Sequence, residues 1–296
     1  MRKFLLTPQW NAELDTDVCD PYNNADTTIT LRLGFRQINP AGGAAVGTYN
    51  DYGDATKPAR RIVRWGAGEW VSWARKLTSS AQKYWDGKFW LINNFPALEF
   101  KDGAITYRPN IWCRLRIVCV LAHGAGHVAA HHTIDVVRLH PTETWFGSHS
   151  TLYDNLDTVA VEKDRDSAGN PIMQRAHIHE IGHLLGLGHV DQGKPHCPVT
   201  GNTNARACYG VADVDKVSVM GEGMQLRPAF ANPWRRAVAR LTGKGTAGAP
   251  ADWIPRTERQ YPRTAEDVRL GRNITVRPAR HPTAGKHHPA REVALW

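Results

Sequence analysis

The chain has 296 residues, 42% of them hydrophobic and 22% charged, and 37 Lys and Arg against 28 Asp and Glu give it a formal net charge of +9. That is enough apolar material for one large domain or two modest ones, and no apolar run reaches the roughly 20 residues that a membrane-crossing helix requires. Composition therefore excludes a helical membrane span and predicts a soluble globular protein with an excess of positive charge.

In chain order, the opening "MRKFLLTPQWNAELD" has a basic start, but its apolar stretch stops after Leu6 and no small-residue cleavage site follows, so no signal peptide is legible. Cys19 follows in "DTDVCDPYNN". Ile29, Leu31, Leu33 and Phe35 alternate with polar residues, which predicts a half-buried strand. A Gly-rich loop is expected from Pro40 to Asp54. Pro58 then suits the first turn of a helix whose apolar stripe is Trp70, Trp73, Leu77, Ala81 and Tyr84, continuing to Trp85 and ended by Asp86-Gly87. Strands are expected at Phe89 to Ile92, Cys113 to Leu121, Thr133 to Leu139 ("TIDVVRL") and Asp157 to Asp164 ("DTVAVEKD").

Two histidine-rich stretches follow from this order. "HGAGHVAAHH" holds His123, His127, His131 and His132, but Gly124 and Gly126 favour a turn between strands and no carboxylate follows His127, so a structural role is preferred over a second metal. "HIHEIGHLLGLGHV" is different. His179 and His183 are four apart, one above the other on a helix, where they can grip one ion from the same side. Glu180 lies beside that axis, placed to accept a proton from a water on the metal. Gly186 permits the positive φ that stops the helix and turns the chain so that His189 can be the third ligand. Three nitrogens leave one coordination position open, the mark of a catalytic zinc site. His177, roughly 200° away around the helix, should face elsewhere.

Five cysteines is an odd number. Cys113 and Cys119 lie about 20 Å apart along one strand at roughly 3.3 Å per residue, too far to bridge. Cys197 and Cys208 flank a polar Gly- and Asn-containing loop and form the preferred disulfide, which points weakly to an oxidising compartment and so to a secreted or exported protein. Cys19 could reach an open zinc position as a thiolate, although a structural cysteine is the preferred reading.

The string His179-Glu180-x-x-His183-x-x-Gly186-x-x-His189 resembles the zinc-binding signature of the metzincin superfamily of zinc metallopeptidases. The resemblance extends to a methionine-containing turn downstream, for which "SVMGEG" offers Met220, with Met224 as the runner-up, and to a helix after it, "ANPWRRAVARLTG", with Asn232 as cap and Pro233 in its first turn. It implies an α+β fold: a mixed twisted sheet with a long backing helix and an active-site helix, then a smaller C-terminal subdomain with the Met-turn and its helix. It also implies one catalytic zinc ion, a protein or peptide substrate lying along a strand edge, and a specificity pocket lined by "GEGMQLRPAF". Some branches place a tyrosine two residues after the turn methionine; here that position is Glu222, so no tyrosine ligand is assigned. The expected organisation is an N-terminal segment at 1–26, a catalytic domain at 27–243 (upper subdomain 27–188, lower subdomain 189–243) and a basic, Pro-containing extension at 244–296.

That extension carries ten Lys and Arg against five acids, net +5, which suits an acidic partner. Two functions are therefore set against each other. One is a zinc-dependent endopeptidase with Glu180 as general base; the other is a noncatalytic zinc-containing module that uses the basic extension on an acidic or nucleic-acid partner. A structural zinc needs no base beside it, so the intact Glu180 favours the enzyme. Oligomeric state is not legible.

Overall fold

The alternation at Ile29 to Phe35 belongs to a strand twice as long as its apolar core. The computed structural model describes residues 2–16, 25–93, 100–102, 105–107, 110–120, 129–143, 151–200, 202–243 and 253–257. It opens with β1 (Arg2–Leu6), β2 (Asn11–Asp15) and β3 (Ala25–Ile38), and continues with β4 (Val46–Asn50), β5 (Ala59–Val63), α1 (Ala67–Trp85), β6 (Phe89–Asn93), β7 (Phe100–Asp102) and β8 (Ile105–Tyr107). Then come β9 (Ile111–Val120), β10 (His132–Val137), β11 (Leu152–Asp154), β12 (Val161–Arg165), β13 (Pro171–Gln174), α2 (Ala176–Leu184), α3 (Asp213–Lys216), α4 (Asn232–Thr242) and β14 (Trp253–Thr257). The fold is mixed α+β with one large mixed sheet and few helices, and no described helix is long and apolar enough to cross a membrane.

The main sheet has eight strands, ordered β1-β2-β3-β9-β6-β14, with β10 and β11 joined beside β3. One edge of β3 serves two partners: Asp26 to Thr30 pair antiparallel with β2, and Leu33 to Ile38 pair parallel with β10. Its other edge runs parallel to β9. Period-two burial puts Ile29, Leu31 and Leu33 of β3 and Ile111, Cys113 and Leu115 of β9 on one face, in a single core with the helices. A smaller cluster of Ile62, Val137, Leu139 and Leu152 lies under the β4–β5 hairpin.

The stripe of α1 buries Trp73, Leu77, Ala81 and Trp85 as its spacing requires, while Trp70 and Tyr84 are half-buried at its margins. Its start differs from the reading at Pro58. Residues 59–63 pair with β4 and bury Ile62, and the helix begins after Gly66, whose N–H donates to Glu69 Oε2 at 3.2 Å. A β-branched pair, Ile62-Val63, fits the pleat better than a helix turn. The loop expected at Pro40 to Asp54 likewise contains β4 and two 3-10 turns. The strand read at Asp157 to Asp164 is shorter and later, because Asp157 is held in a turn by accepting the Asp154 N–H at 2.8 Å.

Strands also come from outside the expected catalytic span. β1 and β2 from the N-terminal segment extend the sheet beyond β3, and β14, beyond Gly243, pairs with β6 and buries Trp253. α4 has the predicted amphipathic face, with Trp234, Ala237, Val238 and Leu241 buried and left-handed Gly243 at its end. Asn232 is not its cap: it is already helical, and the 3-10 turn Pro228–Ala231 runs straight into the helix.

Candidate metal centre

Helix α2 owes its position to what surrounds it. Ile178, Ile181 and Leu184 bury its core side, and Trp85 Nε1 of α1 donates to Ile178 O at 3.2 Å. Gly182 is where the turn below comes close. A Cβ there would meet the Met220 sulfur, so only glycine lets Met220, itself fully buried, sit directly beneath the helix. Gly186 has φ +89°, ends the helix, and directs the chain toward His189.

These constraints bring His179, His183 and His189 together. Nε2 of His183 lies 3.0 Å from Nε2 of His179 and 3.1 Å from Nε2 of His189. Each ring donates its Nδ1–H to a backbone carbonyl: His179 to Val219 O at 2.7 Å, His183 to Leu187 O at 2.9 Å and His189 to Thr203 O at 2.6 Å. With Nδ1 protonated in all three, the converging Nε2 atoms are lone pairs facing one another, an arrangement that a shared cation relieves. A tetrahedral zinc with bonds of about 2.0–2.1 Å sets its nitrogens roughly 3.3 Å apart, so the triad is compatible with that ion. Burial, reinforced by the neighbouring imidazoles, holds His179 well below the usual histidine range and His189 at about 4, and burial alone lowers His183. All three are neutral at pH 7, as metal ligands must be.

Glu180 is buried beside them, 7% exposed. Burial pushes its carboxyl well above the ordinary range; nearby Asp157 adds to this and Lys163 opposes it. His177 turns away, as its helical position requires, with Nδ1 2.8 Å from Asp157 O and Nε2 2.7 Å from the Ser80 hydroxyl.

The turn after His189 is tied back to the triad. Gly221 N–H donates to Ser218 O at 2.9 Å, closing a turn around Val219 and Met220, and Val190 N–H donates to Met220 O at 3.0 Å. Met220, not Met224, is therefore the methionine packed beneath α2, against Gly182. Met224 lies farther along, where its carbonyl accepts from the Tyr84 hydroxyl at 2.5 Å. Cys197 and Cys208 form the expected disulfide, Cα atoms 5.1 Å apart, while Cys113 and Cys119 are free. The bridge closes the loop that supplies Thr203 and ends at Tyr209, whose ring packs 3.9 Å from the His189 ring and 5.8 Å from that of His179.

Several of these partners had no sequence signal. Thr203 acts through its carbonyl, which any residue has, and Tyr209 is marked only by following a disulfide cysteine. Gln174 Nε2 donates to Gly221 O at 2.8 Å from the strand before α2. Glu222 stands two residues after Met220; burial and a hydrogen bond with Asp164 push it up to about 7. Of the second histidine cluster, His131 and His132 serve the sheet. His131 Nδ1 accepts from Arg32 N–H at 3.0 Å, and His132 Nε2 lies 2.9 Å from Gln9 O. His123, His127 and Cys19 lie outside the described residues. Among the described residues, His179, His183 and His189 are the one group arranged to hold a metal. Comparison with family models, curated proteins and solved structures returned no match.

Proposed function

We propose that the chain is a metzincin-type zinc-dependent endopeptidase that hydrolyses peptide bonds of protein substrates. The observation that carries this reading is the set of three converging Nε2 lone pairs, each ring fixed by a carbonyl on Nδ1, with the Glu180 carboxyl one residue from the first ligand. His179, His183 and His189 would hold a zinc ion, which would supply Lewis-acid activation of water and of the scissile carbonyl. Glu180 takes the proton of the attacking water on a carboxylate oxygen and hands it to the departing amine, and a dication beside it favours the charged form that burial disfavours. Gly186 and Met220 hold the third ligand and the floor of the site. The disulfide supports an exported protein. The basic extension, of which Arg256 is the one charged residue described, is assigned to an acidic partner.

The test is metal content and hydrolysis measured together. The purified protein is expected to hold one zinc per chain and to digest a peptide library in a chelator-sensitive way. One zinc with no cleavage of any peptide would favour the noncatalytic module, and no zinc at all would end the metzincin reading.

The bridge offers an independent check. Replacing Cys197 and Cys208 with Ser frees the loop that holds Thr203 O against His189 and Tyr209 over its ring. Loss of such outer support costs about 10 to 100-fold in metal affinity, so zinc should bind that much more weakly in a chelator-competition titration. Equal affinity would show that the loop keeps its place without the bridge.

A further inference from the structure

Tyr209 lies against the ligands themselves. Its ring centroid is 3.9 Å from that of His189 and 5.8 Å from that of His179, and its plane is within 17° of the His179 ring. The orientation of the triad makes no use of the phenol, because each imidazole is fixed through Nδ1 by a backbone carbonyl. Among the described residues the Tyr209 hydroxyl has no hydrogen-bond partner, and the side chain is half-buried, whereas the unpartnered Tyr153 hydroxyl is sealed in the core.

The backbone holds this ring from both sides. Cys208, the residue before it, is bridged to Cys197, and the Cys208 carbonyl accepts the Asp191 N–H at 3.1 Å. On the far side, Val211 N–H donates to Asp191 Oδ2 at 3.0 Å. Asp191 is 1% exposed and stands two residues after His189, so the segment that carries the third ligand also fixes the tyrosine beside it. Burial pushes the Tyr209 hydroxyl up to about 12, and Glu180 and then Glu222 add to this, so its oxygen lies within reach of the Glu180 charge. A side chain stacked on two rings, with its backbone tied on either side, has little freedom left to lose when a substrate arrives.

Peptide hydrolysis develops charge on one atom to which neither the histidines nor Glu180 can donate a hydrogen bond. As the water oxygen bonds to the scissile carbon, the water proton goes to Glu180 and the C=O pair moves onto oxygen; the C–N bond then breaks and the proton passes to the amine. The histidines present lone pairs at Nε2, and Glu180 presents a carboxylate. A phenol, which titrates near 10 in water, is protonated at pH 7 and donates. A fixed donor beside charge that forms only in the transition state lowers the barrier, because nothing has to reorganise as the charge appears.

We propose that the Tyr209 hydroxyl is the hydrogen-bond donor to the oxyanion of peptide hydrolysis, a catalytic role that rests on the peptidase reading above. The test compares the full-length, zinc-loaded protein with its Tyr209→Phe variant, which keeps the ring against His189 and removes only the hydroxyl. Zinc content should match wild type and KM should change little, while kcat on a library-selected peptide falls about 10² to 10³-fold.

A second readout needs no turnover. Acetohydroxamate, a small anion that binds zinc through its oxygens, should bind the zinc-loaded Tyr209→Phe protein about 10 to 100-fold more weakly by calorimetry, since a hydrogen bond to a charged oxygen is lost. If hydrolysis and acetohydroxamate affinity are both unchanged in Tyr209→Phe, the donor role is overturned and the peptidase stands. Loss of zinc from Tyr209→Phe also overturns it, because the hydroxyl would then serve to hold the ligands. A wild-type protein that hydrolyses no peptide, yet binds acetohydroxamate more tightly than Tyr209→Phe does, sinks the peptidase and keeps the phenol as a donor to an anion at the triad.

Discussion

In the Glu180→Gln protein, zinc content stays full and peptide turnover falls by at least about 10² to 10⁴-fold. The amide keeps the shape of the side chain, and Glu180 is not among the three Nε2 donors, so the triad and its carbonyl anchors have no reason to move. What is lost is the atom that receives the water proton. The substitution also removes a carboxyl that burial and Asp157 disfavour as a charge, so folding stability should not suffer. His183→Ala gives the contrasting result, because it takes away the ligand whose Nε2 lies closest to both others, and metal and activity should go together. Zinc analysis and hydrolysis on the same preparations separate the two effects. Activity within a fewfold of wild type, with full metal, would remove Glu180 from the mechanism.

Ending the chain at Gly243 should destabilise the fold by more than about 3–5 kcal/mol, the usual cost of removing one buried aromatic side chain. β14 lies beyond that point, and its Trp253 is 1% exposed in the same core as Trp85, Phe89 and Trp234. The five-residue ladder from Trp253↔Asn93 to Thr257↔Phe89 goes with it. A chain ending at Thr257 keeps the strand and isolates its contribution from that of the basic segment after it. Denaturant unfolding of the two truncations, with Trp253→Ala in the full-length chain as a milder variant, measures the difference. Equal midpoints for both truncations would mean that β14 adds nothing to the fold.

How much of this was legible depended on whether a residue acts through its side chain and its spacing. The convergence of the three histidines and the helix stop at Gly186 were readable because sharing one ion would fix their separation along a helix and its exit. β3 and α1 were readable because long elements repeat their period several times; their far ends were not. α1 begins nine residues after Pro58 because the intervening β5 is too short to declare itself, and a proline permits a helix start without requiring one. β2 shows one alternation, Ala12 and Leu14, inside a polar stretch. The anchors Val219, Leu187 and Thr203 contribute carbonyls and leave no trace in sequence. Gly182 could be read only once Met220 was known to lie beneath it.

β14 has a second consequence, for how these molecules behave toward one another. The strand it covers, β6, reads Phe-Trp-Leu-Ile-Asn, uncharged from end to end. Left at the margin of the sheet, such a strand offers free N–H and C=O groups to any similar strand, and edge-to-edge growth follows. Among the described residues β14 takes that place with Trp-Ile-Pro-Arg-Thr, in which Pro255 has no N–H to donate and exposed Arg256 resists desolvation. A short, blunt strand at the margin keeps neighbouring molecules from extending the sheet across the contact.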